Sequence, residues 1–204
     1  MIRQSITLYT IPHTGTNFVV KFFGVLGLKQ DNPPHLTRQL RPKPAGPKYW
    51  LRLHPTQLYD SQLSNYHLAQ LDVLKRRKPT IVTARDPYLS AIRYLKPGPH
   101  RTMSDLKNRW DRFFRVLPTL NYHIIDIGCE MPNRYEHLCD VADFLKVDYN
   151  SQKVKDFADA WKPENASNSI AKRKYLETRE LPEGYDWSLL DEAVEWYTNL
   201  QYSP

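Results

Sequence analysis

Three short runs of β-branched and aromatic residues punctuate the chain: "ITLYTI" (Ile6 to Ile11), "TIVTA" (Thr80 to Ala84) and "YHIIDI" (Tyr122 to Ile127). Each has the length and composition of a strand, "TIVTA" most clearly that of a buried one, and the first two end at a breaker or a polar turn, Pro12 and "RDP". "YWLRL" (Tyr49 to Leu53) is a fourth candidate. Between the strands the apolar spacing changes to that of helices. From Thr16 the residues Phe18, Val19, Val20, Phe22, Phe23, Val25 and Leu26 are dense enough for a buried helix. Further helices are expected over Leu63 to Arg76, Tyr88 to Leu95, Ser104 to Val116, Arg134 to Leu145, Gln152 to Trp161, Ile170 to Leu176, and Ser188 to Leu200 behind an N-cap at Asp186. From Gln30 to Lys48 the chain carries Pro33, Pro34, Pro42, Pro44 and Pro47, which predicts a long surface excursion without regular structure.

Strands that alternate with helices predict an α/β fold, a parallel sheet with helices on both faces in three layers. In such sheets ligands sit beyond the carboxyl ends of the strands, so the residues to inspect are those that follow strands. At 204 residues the chain is expected to form one domain, residues 1–204, without repeats or a linker.

Composition narrows this picture only a little. Hydrophobic residues at 41% and charged residues at 25% are ordinary for a folded chain and argue against global disorder. No run approaches the ~18 apolar residues of a membrane span, and "MIRQSITLYT" enters a strand pattern without a signal peptide's apolar core, so no membrane and a cytoplasmic location are expected. Cys129 and Cys139 are too few for a disulfide framework or a zinc site and read as reduced bystanders. The formal charge of +7 points to an anionic partner without choosing among a nucleotide, a nucleic acid, an anionic sugar or an acidic surface. "KRRK" (Lys75 to Lys78) and "KRK" (Lys172 to Lys174) are its local concentrations.

The chemistry concentrates in Pro12-His13-Thr14-Gly15-Thr16-Asn17, the loop between the first strand and the first helix. Free backbone N–H groups and the helix dipole favour an anion there. Gly15 permits close approach, and Thr14, Thr16 and Asn17 add side-chain donors. The loop is no Walker A motif, because Thr16 occupies the lysine position.

The loop resembles the 5′-phosphosulfate-binding loop of the sulfotransferase family, roughly P-K-S-G-T-[TS]-[WL], with His13 in place of the lysine and Phe18 where cytosolic members stack a ring on adenine. Other landmarks follow in family order. "RLHPTQL" (Arg52 to Leu58) is similar to the T-H-x-P segment, which puts His54 in the place of the catalytic base. "TIVTARDPYLSAIRYL" resembles the strand, turn and helix that bind the 3′-phosphate, with Arg85 as the matching arginine. "NRYEHLCDVADFL" is similar to the R-Y-E-D-L segment and its following helix, with Tyr135 near the adenine.

The resemblance implies a sulfotransferase-like P-loop fold and transfer of a sulfuryl group from 3′-phosphoadenosine 5′-phosphosulfate (PAPS) to a hydroxyl or amine acceptor, with no metal. His54 would take the acceptor's proton, and His13, when protonated, would stabilise charge on the bridging oxygen. The chain departs from the family in three places. Arg93 stands eight residues after Arg85, where a serine is usual, with Ser90 one helical turn earlier; either completes the 3′-phosphate site, and Arg93 is favoured for its forked guanidinium. The family's R-K-G and G-D-W elements survive only in outline in "AKRKYLETRELPEGYDW", leaving Arg173 and Lys174 as cofactor candidates against a solvated helix face. The missing lysine is the third. Two other readings stand beside this one: a kinase-like phosphotransferase acting on a nucleotide or nucleic-acid hydroxyl, with Asp126 as a magnesium ligand, and a non-catalytic binder of nucleotide or nucleic acid. The acceptor pocket is expected from the Pro-rich segment and from "LKPGPHR" (Leu95 to Arg101).

Overall fold

A computed structural model describes residues 6–11, 14–30, 49–53, 79–95, 101–127, 134–160 and 170–201. Five strands, β1 (Ile6–Tyr9), β2 (Lys29–Gln30), β3 (Tyr49–Leu53), β4 (Pro79–Ala84) and β5 (Asn121–Asp126), form one sheet in the order β2-β3-β1-β4-β5. All neighbouring pairs are parallel. β1 lies between β3 and β4, with Tyr9 opposite Leu53 on one side and Val82 on the other. β4 pairs with β5 along its whole length, from Pro79↔Asn121 to Ala84↔Asp126. Parallel pairing requires crossovers, and among the described residues helices lie in those from β1 to β2 and from β4 to β5.

The helices are α1 (Thr16–Val25), α2 (Pro87–Tyr94), α3 (Met103–Val116), α4 (Arg134–Phe144), α5 (Ser151–Ala160), α6 (Ile170–Thr178) and α7 (Asp191–Gln201), with single 3₁₀ turns at Leu117–Thr119 and Trp187–Leu190. Alternation along the strands separates two cores. Ile6, Leu8, Ile81, Ile125 and Ile127 face α1, α4 and α5, where Phe22, Phe23, Leu138 and Val154 are fully buried. Tyr9, Ile11 and Val82 face α2, α3 and the C-terminal elements, around Phe113, Trp110 and Leu190. The molecule is therefore α/β, a parallel sheet with helices on both faces, as the alternating pattern predicts.

Most elements fall within a residue or two of the expected ones. α3 begins one residue before Ser104 because Thr102 caps it: Thr102 Oγ1 accepts from the Asp105 N–H at 3.1 Å, while Asp105 Oδ2 accepts from the Thr102 N–H at 3.2 Å. Asp186 caps as expected, accepting from the Ser188 N–H at 3.2 Å, but the turn it opens is 3₁₀ before α7 begins. β2 was not anticipated, since two residues carry no readable period. The Pro-rich segment from 31 to 48, the expected helix over Leu63 to Arg76, and Cys129 lie outside the described residues. Cys139 is a free thiol. Among the described residues no helix is long and apolar enough to cross a membrane.

Candidate functional site

The carboxyl ends of β1 and β4, side by side in the sheet, carry the loop and the "RDP" turn. Gly15 is the N-cap of α1 at φ 90°, ψ 21°, a left-handed conformation that an L side chain adopts only at a cost. A Cβ there would collide with Ile127 Cδ1 and stand 2.9 Å from Ile127 Cγ2, so the loop rests directly on the residue that follows β5. Among the described residues no side chain caps α1, and its first turn holds no acidic residue. α2 and α3, in contrast, begin with an Asp86 and a Thr102 cap. The start of α1 thus keeps the donor character and positive dipole end that suit an anion.

Buried hydroxyls fix the loop to the sheet. Thr14 is fully buried; its hydroxyl donates to the Ile11 carbonyl at 2.7 Å and lies 2.5 Å from Thr83 Oγ1 on β4. A hydroxyl has one proton, so with Thr14 donating to Ile11, Thr83 must donate to Thr14. Thr16, in the first turn of α1, donates to Thr10 Oγ1 at 3.3 Å. Asn17 is exposed. Phe18 faces the other way: its ring is buried against Phe157, 5.0 Å between centroids, in the core under α1. His13 and His54 lie outside the described residues; β3, which His54 follows in the chain, ends at Leu53 beside Tyr9.

Arg85 leaves the end of β4 with 7% of its surface exposed, a buried guanidinium in a position that few arginines occupy. The next residue, Asp86, caps α2 by accepting from the Tyr88 and Leu89 N–H groups at 2.8 and 3.4 Å, with Pro87 preset at the first helical position. Ser90 is fully buried, and its hydroxyl donates to the Asp86 carbonyl at 3.2 Å. Arg93, half-buried, stands in the last turn of the same helix. α6 lies against α2 through Tyr175, Leu89 and Ile92. It brings Arg173 and Lys174 to this end of the molecule; the Lys174 ammonium pairs with Glu180 at 2.9 Å, which raises its pKa.

The structure therefore joins the loop to β4 and sets Arg85, Ser90 and Arg93 on one turn-helix unit with α6 alongside. Tyr135 belongs elsewhere, on α4 at the edge of the core that holds Phe18; its hydroxyl interacts with Cys139, which raises its pKa. Asp126, the magnesium candidate of the phosphotransferase reading, accepts from the Tyr197 hydroxyl at 3.1 and 3.3 Å. Among the described residues no three His, Cys, Asp or Glu side chains come together as a metal site. Sequence reasoning did not find Thr10, Thr83, Tyr175 or Arg179. Thr83 was hidden inside a strand, and the alternation that buries it could have drawn attention to its hydroxyl. No family model and no curated protein matches the chain.

Proposed function

We propose that the chain is a sulfotransferase-like enzyme that moves a sulfuryl group from PAPS to a hydroxyl or amine acceptor. The observation that carries this reading is the pairing of an uncapped α1, entered through left-handed Gly15, with a neighbouring β4 that ends in buried Arg85, the two tied by Thr14 and Thr83. One terminus offers dipole and amides to a 5′-phosphosulfate; the other offers a guanidinium to a 3′-phosphate. The family-like order of the loop, His54, Arg85 and Tyr135 along the chain supports the same assignment.

PAPS supplies the sulfuryl group when bound, and adenosine 3′,5′-bisphosphate is what remains. The chain's own part is to hold and to move a proton. Loop amides with Asn17 would hold the 5′ end, Thr14 and Thr16 shaping the loop through Thr83 and Thr10, and Arg85 with Arg93 or Ser90 would hold the 3′-phosphate. Ser90's hydroxyl is engaged with the Asp86 carbonyl, which favours Arg93. His54 would accept the acceptor's proton as its oxygen or nitrogen forms the new bond to sulfur, and His13 would meet the charge left on the bridging oxygen. Phe18 is taken up by core packing and has no part in this assignment.

The test compares thermal stabilisation by adenosine 3′,5′-bisphosphate, by ATP with magnesium, and by a short oligonucleotide. Selective stabilisation by the bisphosphate, lost in Arg85→Ala, is the expected result. Stabilisation by ATP with magnesium alone overturns the reading in favour of a phosphotransferase. Stabilisation by the oligonucleotide alone does so in favour of a nucleic-acid binder. For the base, His54→Ala should bind the bisphosphate as the wild type does and lose turnover; unchanged turnover removes His54 from the mechanism.

A further inference from the structure

Asp86 uses both carboxylate oxygens. Oδ1 caps α2, while Oδ2 accepts from the Tyr175 hydroxyl of α6 at 3.0 Å and lies 3.9 Å from an Arg179 guanidinium nitrogen. That guanidinium also stands over the Tyr175 ring, 5.6 Å from its centroid. Arg179 itself has φ 60°, the left-handed conformation in which helices usually end on glycine, and its N–H donates to the Tyr175 carbonyl at 2.8 Å. Its side chain, 64% exposed, reaches back over Tyr175 toward Asp86. Burial and the neighbouring Asp86 charge raise the Tyr175 pKa, so its hydroxyl remains a donor through the physiological range.

We infer that Asp86, Tyr175 and Arg179 form a clasp that positions the Arg85 turn and α2 for anion binding. This rests on the function proposed above. Arg85 precedes Asp86 by one peptide, and α2, which carries Ser90 and Arg93, is held from outside by Tyr175 packed on Leu89 and Ile92. Fixing Oδ2 fixes the carboxylate plane, which fixes the first turn of α2 and hence the direction in which the chain leaves β4. Tyr175 and Arg179 are positioning residues: they act through Asp86 on the groups that would touch the ligand.

The experiment measures adenosine 3′,5′-bisphosphate affinity by calorimetry, with melting temperature beside it, for the full chain and for Tyr175→Phe, Arg179→Gly and Arg179→Lys. Tyr175→Phe keeps the ring and removes only the donor; affinity should fall roughly five- to tenfold, the scale of an ordinary coupling between sites. Arg179→Gly removes the backbone strain along with the guanidinium. It should leave the melting temperature level or higher while weakening the bisphosphate, a split that a purely structural role would not produce. Arg179→Lys should recover part of the affinity. Wild-type protein that binds the bisphosphate, with all three variants binding equally well, overturns the clasp and leaves the functional reading intact. Wild-type protein that does not bind the bisphosphate overturns both.

Discussion

Gly15 is where loop conformation and sheet packing meet, and its replacement should separate the two. Alanine at φ 90° bears the left-handed penalty of about 1–2 kcal/mol. Its Cβ also has to displace Ile127, whose side chain is buried at the end of β5, and such overpacking typically costs about 1–3 kcal/mol. The sum is about 2–5 kcal/mol. At ~2–4 °C per kcal/mol for a chain of this size, the melting temperature should fall by roughly 4–20 °C. Gly15→Asn divides the sum, because asparagine tolerates the left-handed region and still brings a Cβ.

Ile127→Ala opens the space and, alone, should cost about 2–5 kcal/mol as a cavity. With Ile127→Ala in place, Gly15→Ala should lose the clashes with Ile127 Cδ1 and Cγ2 and keep the conformational penalty with a tight 3.1 Å approach to the remaining Cβ. A double-mutant cycle by urea unfolding should therefore return an interaction energy of about 1–3 kcal/mol in favour of the double variant. Additivity within ~0.5 kcal/mol would mean that the loop does not rest on Ile127, and the packing argument would fall.

Two further outcomes follow from buried polar groups. His123 on β5 and His137 on α4 have ring centroids 5.8 Å apart, with buried Nε2 atoms that have no hydrogen-bond partner among the described residues. Burial lowers both pKa values, and His123 lowers that of His137 further; Asp140 opposes the shift at both, and Phe144 stacks on His123. A lowered folded pKa means stability that is present above the ordinary imidazole range, ~6.5, and lost as pH falls below it. Chemical unfolding between roughly pH 7 and 5 should show that loss, and His137→Leu should flatten it; an identical slope in the variant would refute the assignment. At the loop, Thr14→Val leaves the Thr83 hydroxyl buried without its acceptor, whereas Thr83→Val leaves Thr14 still donating to Ile11. Thr14→Val should cost about 1–3 kcal/mol and Thr83→Val about 1 kcal/mol by urea unfolding, and the reverse order would overturn the donor assignment.

β1 and β4 were legible because they are short, β-branched and fully buried, so one-dimensional pattern and three-dimensional environment coincide there, whereas β5 is only partly buried, with Asn121 and Tyr122 exposed. Asp86 as a cap was written in the Asp-Pro pair before an apolar run. Phe18 shows the limit of a motif. Its place after the loop suggested a ring for adenine, but the α1 period that buries Phe18, Val19, Phe22 and Phe23 together turns it inward to Phe157 on α5. Nothing local could have joined Tyr175 to Asp86, 89 residues earlier, or His123 to His137 across the β5–α4 crossover. "LETREL" carries no glycine to mark the left-handed helix end at Arg179.

The chemistry of the loop constrains where the charge for an anion has to come from. Its described side chains are the hydroxyls of Thr14 and Thr16, turned to Thr83 and Thr10, and the neutral Asn17 amide, so the loop offers partial charges from amides and a helix dipole equivalent to roughly half an elementary charge. A bisphosphate carries several negative charges. On the proposed reading the fixed positive charge must then be concentrated at the other phosphate, on the guanidinium groups of Arg85 and Arg93. His13 adds charge to the 5′ end only when protonated. Binding of adenosine 3′,5′-bisphosphate should accordingly survive alkaline conditions and depend on Arg85, while the contribution of His13, read as the difference between wild type and His13→Gln, should grow as pH falls through the imidazole range. A His13→Lys variant should remove that pH dependence. An unchanged profile in His13→Lys would mean that the charge at the loop is supplied by some other group, and that the histidine is not standing in for a lysine.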